Sequence, residues 1–212
     1  MPLSYSAVKT YEQCPSKYKF SRIDRLPEPS GPQAERGKTL HAEIENALKN
    51  NLPLLSDDVK HLAERIEEWK VVGAVSEMEI AVTDDWKETS FDDKDSLFRG
   101  IIDLYYEEND CAIVIDFKTG KIRDYSDQVA VYAALVMSCK PHIQSVRPII
   151  EFIDHRQTTN YAVHKREDLE KMQKDLQTRV HRVQFDPVYA PNPSFLCRYC
   201  HYRKDNGGPC KW

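Results

Sequence analysis

Apolar and polar positions along the chain follow two periods, and together they predict an order of helices and strands. Two short helices are expected first, at Ser6 to Gln13 and at Ser16 to about Ile23, because Ser6 can cap the first and Pro15 ends it. Apolar residues spaced three and four apart predict further helices at about 37–49, 57–69, 126–138 and 166–183. Alternating or continuous apolar runs predict strands at about 76–83, 97–106, 111–118, 146–154 and 161–164.

This order of elements predicts a mixed α/β fold in which helices cover a central sheet. The 212 residues suit one domain, or one domain with a small appendage. Apolar residues make up 41% and charged residues 30%, which is typical of a globular chain and too apolar for a disordered one.

Charge is unevenly spread, although the formal net charge is only -4. Residues 1–26 and 197–212 are both locally basic, and a local basic field steers a phosphate backbone even when the average charge does not. Ordinary solvated faces would explain these runs equally well. No secretory signal or membrane span is recognisable, so a cytoplasmic protein is expected, and its six cysteines are not expected to form a disulfide framework.

The strongest candidate chemistry lies in the two strands that flank Asn109-Asp110. If these strands form a hairpin, paired residue numbers sum to 219, and Asp103 faces Asp116. Directly opposed residues have Cβ atoms about 4.5–5.5 Å apart, so their carboxylates could share a divalent cation. Lys118 projects from the same face as Asp116. A purely structural alternative makes Lys118 the salt-bridge partner of two strand-end aspartates.

An acid on one strand, followed by acid-any residue-Lys on the next, resembles the PD-(D/E)XK nuclease superfamily. Asp116-Phe117-Lys118 matches the second half, whereas Ile102 stands where the literal motif has proline before Asp103. The resemblance implies a restriction-endonuclease-like α/β fold with a mixed central sheet flanked by helices. It also implies hydrolysis of DNA phosphodiester bonds with Mg²⁺ or Mn²⁺, held by Asp103, Asp116 and the Phe117 carbonyl.

Additional motifs resemble the RecB-like branch, which includes CRISPR-associated iron–sulfur exonucleases. Gly37 and His41 match its Gly-x-x-x-His motif, in which the histidine is a further metal ligand. From the residues alone, a histidine that borders an apolar stripe is more often structural, and Gly37 is expected to leave space beside its ring. Gln128 and Tyr132 match the Gln-x-x-x-Tyr motif that lines the active site and contacts DNA. By pattern alone Tyr132 is expected in the core and Gln128 on the surface.

Four cysteines could bind one metal centre: Cys14, Cys197, Cys200 and Cys210. Such a set is typical of zinc or of an iron–sulfur cluster. The RecB-like resemblance favours a [4Fe–4S] cluster over zinc, because one subgroup of that branch has one N-terminal and three C-terminal cysteine ligands. It implies a single nuclease domain over residues 1–212, with 1–26 and 187–212 forming the cluster-binding subregion. Cys111 and Cys139 are expected to be core cysteines.

The resulting expectation is a DNA nuclease, most simply an exonuclease that prefers single strands or free ends. Prokaryotic or viral origin and recombination or repair partners would suit it. Two other classes of protein stay open. A non-catalytic iron–sulfur or zinc DNA-binding module derived from a nuclease would keep the cysteines without cleavage. A redox protein would use the cysteines and leave Asp103, Asp116 and Lys118 unexplained.

Overall fold

The structure is a computed structural model that describes residues 2–212. The helices are α1 (Tyr5–Gln13), α2 (Pro15–Tyr18), α3 (Pro32–Asn50), α4 (Ala63–Val71), α5 (Ser126–Cys139) and α6 (Leu169–Gln184). The strands are β1 (Val75–Val82), β2 (Phe98–Glu108), β3 (Cys111–Lys118), β4 (Ser145–Phe152), β5 (Gln157–Asn160) and β6 (His164–Lys165). None of the helices in this described range is both long and apolar enough to cross a bilayer.

Two compact units make up the described chain. The first unit comprises Pro2 and Gly31–Gln173, and the second unit comprises Leu3–Ser30 and Lys174–Trp212. The first unit contains the sheet, and the second contains all four of the predicted ligand cysteines.

The sheet of the first unit has the strand order β1-β2-β3-β4-β5, with β6 paired to β4. β2 and β3 form an antiparallel hairpin, whereas β3 and β4 are parallel and are joined through α5. A parallel connection needs such a crossover, usually a helix. The mixed sheet flanked by helices, which the order of elements predicted, is therefore confirmed.

The core of the first unit explains why β3 is almost continuously apolar. Residues 112–117 are all buried in this central strand, which has neighbours on both sides. Side chains of α3 and α4 join β2 and β3 in one cluster that includes Ile44, Trp69, Leu104 and Ile115. The buried helix α5 contributes Val129 to another cluster, with Ile150 and Phe152 of β4.

Three boundary predictions were wrong for local reasons. Ser4, not Ser6, caps α1, since the Ser4 hydroxyl accepts a bond from the Ala7 amide. α3 begins at Pro32 instead of Gly37, because proline suits the first helical position and lacks the N–H that would be unpaired there. A strand was predicted at 161–164, but β5 ends at Asn160 and β6 begins at His164.

Candidate functional site

Asp116 ends the apolar run of β3 and is the most deeply buried carboxylate of the site, with 2% of its surface exposed. Its Oδ2 lies 2.5 Å from Lys118 Nζ, and its Oδ1 accepts a bond from Gln128 Nε2 at 2.9 Å. Burial, followed by the nearby Asp103 charge, raises the pKa of Asp116 to about 6 despite the opposing effect of Lys118. A buried carboxylate needs a charged or hydrogen-bonding partner, and Lys118 and Gln128 supply both here.

Asp103 lies beside the same strand because the hairpin has the predicted register. Paired residues from Leu104 with Ile115 to Glu108 with Cys111 all sum to 219, which confirms that register. Asn109 adopts a positive φ of 58° at the turn, a conformation that asparagine tolerates well. Just beyond the Leu104–Ile115 pair, Asp103 Oδ2 accepts a bond of 2.7 Å from the Phe117 amide. The two strands therefore bring the Asp103 carboxylate to the end of β3.

His41 reaches Asp103 from helix α3, with 3.6 Å between His41 Nδ1 and Asp103 Oδ2. Burial by itself lowers the pKa of His41, but the hydrogen bond and charge of Asp103 outweigh it, and the net shift is upward. The imidazole edge also meets the Phe117 ring. The His41 ring is thus oriented toward Asp103 and does not serve only to fill the core.

Glu77 of β1 completes a three-residue cluster that the sequence did not reveal. Ligand atoms of His41, Glu77 and Asp103 all lie within 4.8 Å of one another. Neighbouring pairs Ser76–Leu104 and Met78–Ile102 place Glu77 opposite Asp103. Burial and then the charge of Asp103 raise the pKa of Glu77. Two mutually repelling carboxylates and an imidazole form a donor set that suits a divalent cation.

Glu77→Gln should weaken the binding of the divalent cation without abolishing activity. Replacing the carboxylate by an amide removes one negative oxygen donor, so the Mn²⁺ concentration for half-maximal activity should rise about tenfold or more. Glu79→Gln is the matched control, since Glu79 is an exposed glutamate of the same strand. Identical metal titrations for the two variants would remove Glu77 from the site.

Gln128 and Tyr132 of α5 form a buried pair behind Asp116. Gln128 is only 8% exposed, so the expectation that it lies on the surface was wrong, while Tyr132 is buried as expected. The reason is that the Gln128 amide donates both to Asp116 Oδ1 and to the Tyr132 hydroxyl, each at 2.9 Å. Gly100 lies beside the Tyr132 ring, and a Cβ there would be in ordinary van der Waals contact with it at 3.4 Å.

Lys118 lies at the open end of β3, where it pairs with Asp116 and lies over the Tyr125 ring, with 5.0 Å between Nζ and the ring centroid. Burial opposes its charge, but Asp116 raises the pKa of Lys118 overall, so the ammonium stays protonated. Lys118 projects from the same face as Asp116, as the two-residue spacing predicted.

The loop after Lys118 is tied to helix α3 by an arginine. Two Arg36 nitrogens contact Asp154 at 2.7 and 3.2 Å, and Asp154 in turn accepts a bond of 2.7 Å from the Gly120 amide. At the next residue of the helix, a Cβ on Gly37 would lie 3.2 Å from Thr119 Oγ1. Thr119 therefore occupies the space beside Gly37 that was expected for the imidazole.

Arg36→Ala should lower the turnover rate about tenfold. Without Arg36 the loop after Lys118 loses its tie to α3, and even a small displacement of a reacting group slows a reaction strongly. Its effect on the free energy of unfolding should be only about 1 kcal/mol or less, since the ion pair is largely exposed. Lys60→Ala removes another exposed ion pair of the first unit and serves as the control. Equal turnover in the two variants would exclude a positioning role for Arg36.

The second unit brings Cys14, Cys197, Cys200 and Cys210 to the lining of one cavity of about 120 Å³. All four are free thiols in the structure. Backbone amides point at two of the sulfurs, from Asn192 to Cys14 Sγ at 3.4 Å and from Ser194 to Cys197 Sγ at 3.3 Å. Such N–H bonds to sulfur accompany thiolate ligands.

The remaining two cysteines lie in the first unit. Cys139 is buried, and burial raises the pKa of its thiol to about 12, which is consistent with a core cysteine. Cys111 is partly buried at the start of β3 and packs against the cluster of α3 and α4.

One family model and several solved structures resemble this chain. A family model described as the PD-(D/E)XK nuclease superfamily matches residues 2–204. The crystal structure of SSO0001 superposes with a TM-score of 0.49 at 16% identity, covering 99% of this chain and 86% of that one. A Eubacterium rectale protein named "Putative exonuclease" superposes with a TM-score of 0.56 at 15% identity, covering 94% and 87%. No curated protein matches the sequence.

Proposed function

The chain belongs to the PD-(D/E)XK nuclease superfamily, and from this membership we propose that it is a metal-dependent deoxyribonuclease, acting as an exonuclease that prefers single strands. The observation that carries the proposal is the convergence of His41, Glu77 and Asp103 beside the Asp116–Lys118 pair. A structural ion pair would account for Asp116 and Lys118, but it would give no reason for an imidazole and two carboxylates to meet next to them.

The residues present fit a divalent cation by the chemistry of their donors. His41, Glu77 and Asp103 would hold it, with Asp116 and the Phe117 carbonyl as the further ligands that the motif implies. A nitrogen donor makes Mn²⁺ acceptable as well as Mg²⁺. When bound, such an ion would supply Lewis-acid chemistry that stabilises charge on the phosphate and lowers the pKa of a water molecule.

Three side chains have separate roles in the proposed hydrolysis. The protonated Lys118 Nζ donates to the water or to the phosphate oxygen on which charge develops. Gln128 holds the Asp116 carboxylate through Oδ1 and leaves Oδ2 facing Lys118. Tyr132 fixes the Gln128 amide from behind. Through this pair, α5 keeps the carboxylate in one orientation before substrate binds.

For the four cysteines we propose a [4Fe–4S] cluster, with zinc as the alternative occupant. The 120 Å³ cavity supports a group of several atoms, since one water needs only about 10–15 Å³. We also propose that the chain is a member of the RecB-like branch, with one nuclease domain over residues 1–212 in which residues 1–26 and 187–212 form the cluster-binding subregion. The cluster would act as a staple between the two ends of the chain, because metal binding can contribute on the order of 10 kcal/mol to folding.

Digestion of end-labelled DNA tests the proposed activity. Single- and double-stranded oligonucleotides of one sequence, labelled at either end, would be incubated with the anaerobically purified protein and Mn²⁺. We expect the label on single strands to appear first in mononucleotides or very short products. Internal cuts would favour an endonuclease, and tight binding without any cleavage would favour the non-catalytic module. A brown absorption band in the same preparation distinguishes iron–sulfur from colourless zinc.

A further inference from the structure

Two large aromatic rings stand exposed on one short turn of the second unit. Phe195 is 71% exposed and Tyr199 is 72% exposed, and both belong to the 3₁₀ turn Phe195–Tyr199. Apolar side chains that are exposed next to one another mark candidate interaction sites. The guanidinium of Arg198 accompanies both rings, at 5.9 Å from the centroid of Phe195 and 4.8 Å from that of Tyr199. We call these three residues the aromatic face.

The turn that bears the aromatic face is held from both ends. Ser194 precedes it and accepts a bond from the Leu196 amide, while the Cys200 amide closes it by donating to the Cys197 carbonyl at 3.0 Å. Cys197 and Cys200 line the cysteine cavity, so the same short segment carries ligand sulfurs and exposed rings. Local hydrogen bonds therefore hold the backbone that carries the two rings.

The charge of the second unit is opposite to that of the whole chain. It carries twelve Lys and Arg against six Asp and Glu, a formal charge of +6, whereas the chain as a whole is at -4. A basic unit attracts a polyanion. An apolar peptide would fit the rings but not this charge, so the charge argues for nucleic acid over an apolar protein partner.

We propose that the aromatic face binds single-stranded DNA, with bases stacked on Phe195 and Tyr199 and a backbone phosphate paired with Arg198. Proteins that bind single strands without sequence preference stack bases on exposed aromatic side chains and hold the backbone with basic side chains. A duplex hides the faces of its bases within its own stack, so this surface selects unpaired strands. The inference rests on the proposed function for its substrate class and deepens it by naming residues for the strand preference.

Binding measurements on a cleavage-deficient variant test the aromatic face separately from the proposed nuclease activity. Asp116→Asn protein would be titrated into a fluorescein-labelled oligothymidylate of about 15 nucleotides, a length that covers a typical single-strand site. Adding Phe195→Ala or Tyr199→Ala should each raise Kd roughly tenfold, since one lost base stack has about that effect. Phe195→Tyr should bind like its parent. Phe185→Ala is the control, because Phe185 is 75% exposed in the same unit but packs against His181.

Two further measurements complete the test, and the first of them compares DNA ligands on the parent protein, so it does not depend on how the ring variants fold. An abasic oligonucleotide of equal length should bind the parent protein roughly tenfold or more weakly than oligothymidylate. Arg198→Ala should reduce the slope of log Kd against log salt by about 0.7, the value for one lost phosphate contact on a single strand, whereas Tyr199→Phe should leave it unchanged.

Equal affinity for abasic and normal strands, or unchanged Kd in both ring-to-alanine variants, would overturn the aromatic face as a DNA site. If instead the parent binds single strands through these rings but the wild-type protein releases no nucleotides, the aromatic face stands and the proposed nuclease activity fails. Cleavage with no contribution from the rings would support the nuclease activity and overturn the aromatic face.

Discussion

Asp116→Asn is expected to reduce the rate of metal-dependent cleavage by about 10³-fold or more, while the protein stays folded. Asn keeps the shape of the side chain and an oxygen that can accept the Gln128 bond. It lacks the negative charge that attracts a cation and pairs with Lys118. Because the loss falls on the reacting centre, it should appear in kcat and not as weaker DNA binding.

Stability should change little in this variant, because the two effects of the substitution oppose one another. The carboxylate is buried and lies near Asp103, and neutralising it relieves both the desolvation cost and that repulsion. Lys118 loses its partner at the same time. Asp110→Asn is the matched control, since it makes the same change at an exposed position of the same hairpin. A cleavage rate within about threefold of the parent for Asp116→Asn would remove Asp116 from the mechanism.

Gly208→Ala is expected to disrupt the cysteine site of the second unit. A Cβ on Gly208 would lie 2.2 Å from the carbonyl carbon and oxygen of Tyr202, and these are backbone atoms that cannot rotate away. The same carbonyl accepts the Cys210 amide at 2.9 Å, so any shift there moves Cys210. We expect the free energy of unfolding to fall by about 3 kcal/mol or more and the bound metal per chain to fall with it.

Gly207→Ala provides the comparison for that experiment. Gly207 has a φ of 77°, but no atom lies within 4 Å of where a Cβ would stand, so alanine there meets only backbone strain, which costs about 1 kcal/mol. Chemical denaturation and elemental analysis for iron and zinc would be carried out on both variants. Full metal content in Gly208→Ala protein would show that the Tyr202 contact does not position Cys210.

The packing of Gly208 against the Tyr202 backbone explains the long spacer between Cys200 and Cys210. Residues after Tyr202 turn through the 3₁₀ segment Lys204–Asn206 and the left-handed Gly207, and a bridge between Arg203 and Cys210 closes the loop. The nine intervening residues therefore do not carry Cys210 away from the other cysteines. A sequence cannot show that a glycine lies against a distant backbone atom, so the importance of Gly208 could not be predicted.

The central hairpin was predictable because its determinants are local. Asn109 and Asp110 supply a turn, β3 is strongly apolar, and the register follows from where the turn falls. The same local pattern correctly placed Asp116 and Lys118 on one face. Helix α3 was predicted correctly in its interior, but its first turn was missed because the prolines up to Pro32 are typical of a loop.

Gln128 and Glu77 show where local reasoning stops. A polar residue in an apolar helix is expected at the surface, yet Gln128 is buried because Asp116, which lies on a different element, satisfies its amide. Glu77 belongs to an alternating strand whose partner strand is reached only after a long connection, and its positive φ of 51° departs from an extended strand. The pairing of β1 with β2 and the positive φ of Glu77 leave no trace in the apolar periodicity, so the sequence could not predict that Glu77 joins the site.

The most direct test of the metal site as the source of activity is the dependence of strand cleavage on divalent cations. A labelled single strand would be mixed with excess protein in EDTA, then with increasing Mn²⁺ or Mg²⁺, and the released label would be followed. We predict no release in EDTA, release that saturates with added metal, and its loss when EDTA is returned. Equal release with and without EDTA, or none at any metal concentration, would contradict the assignment of His41, Glu77, Asp103 and Asp116 to a catalytic metal site.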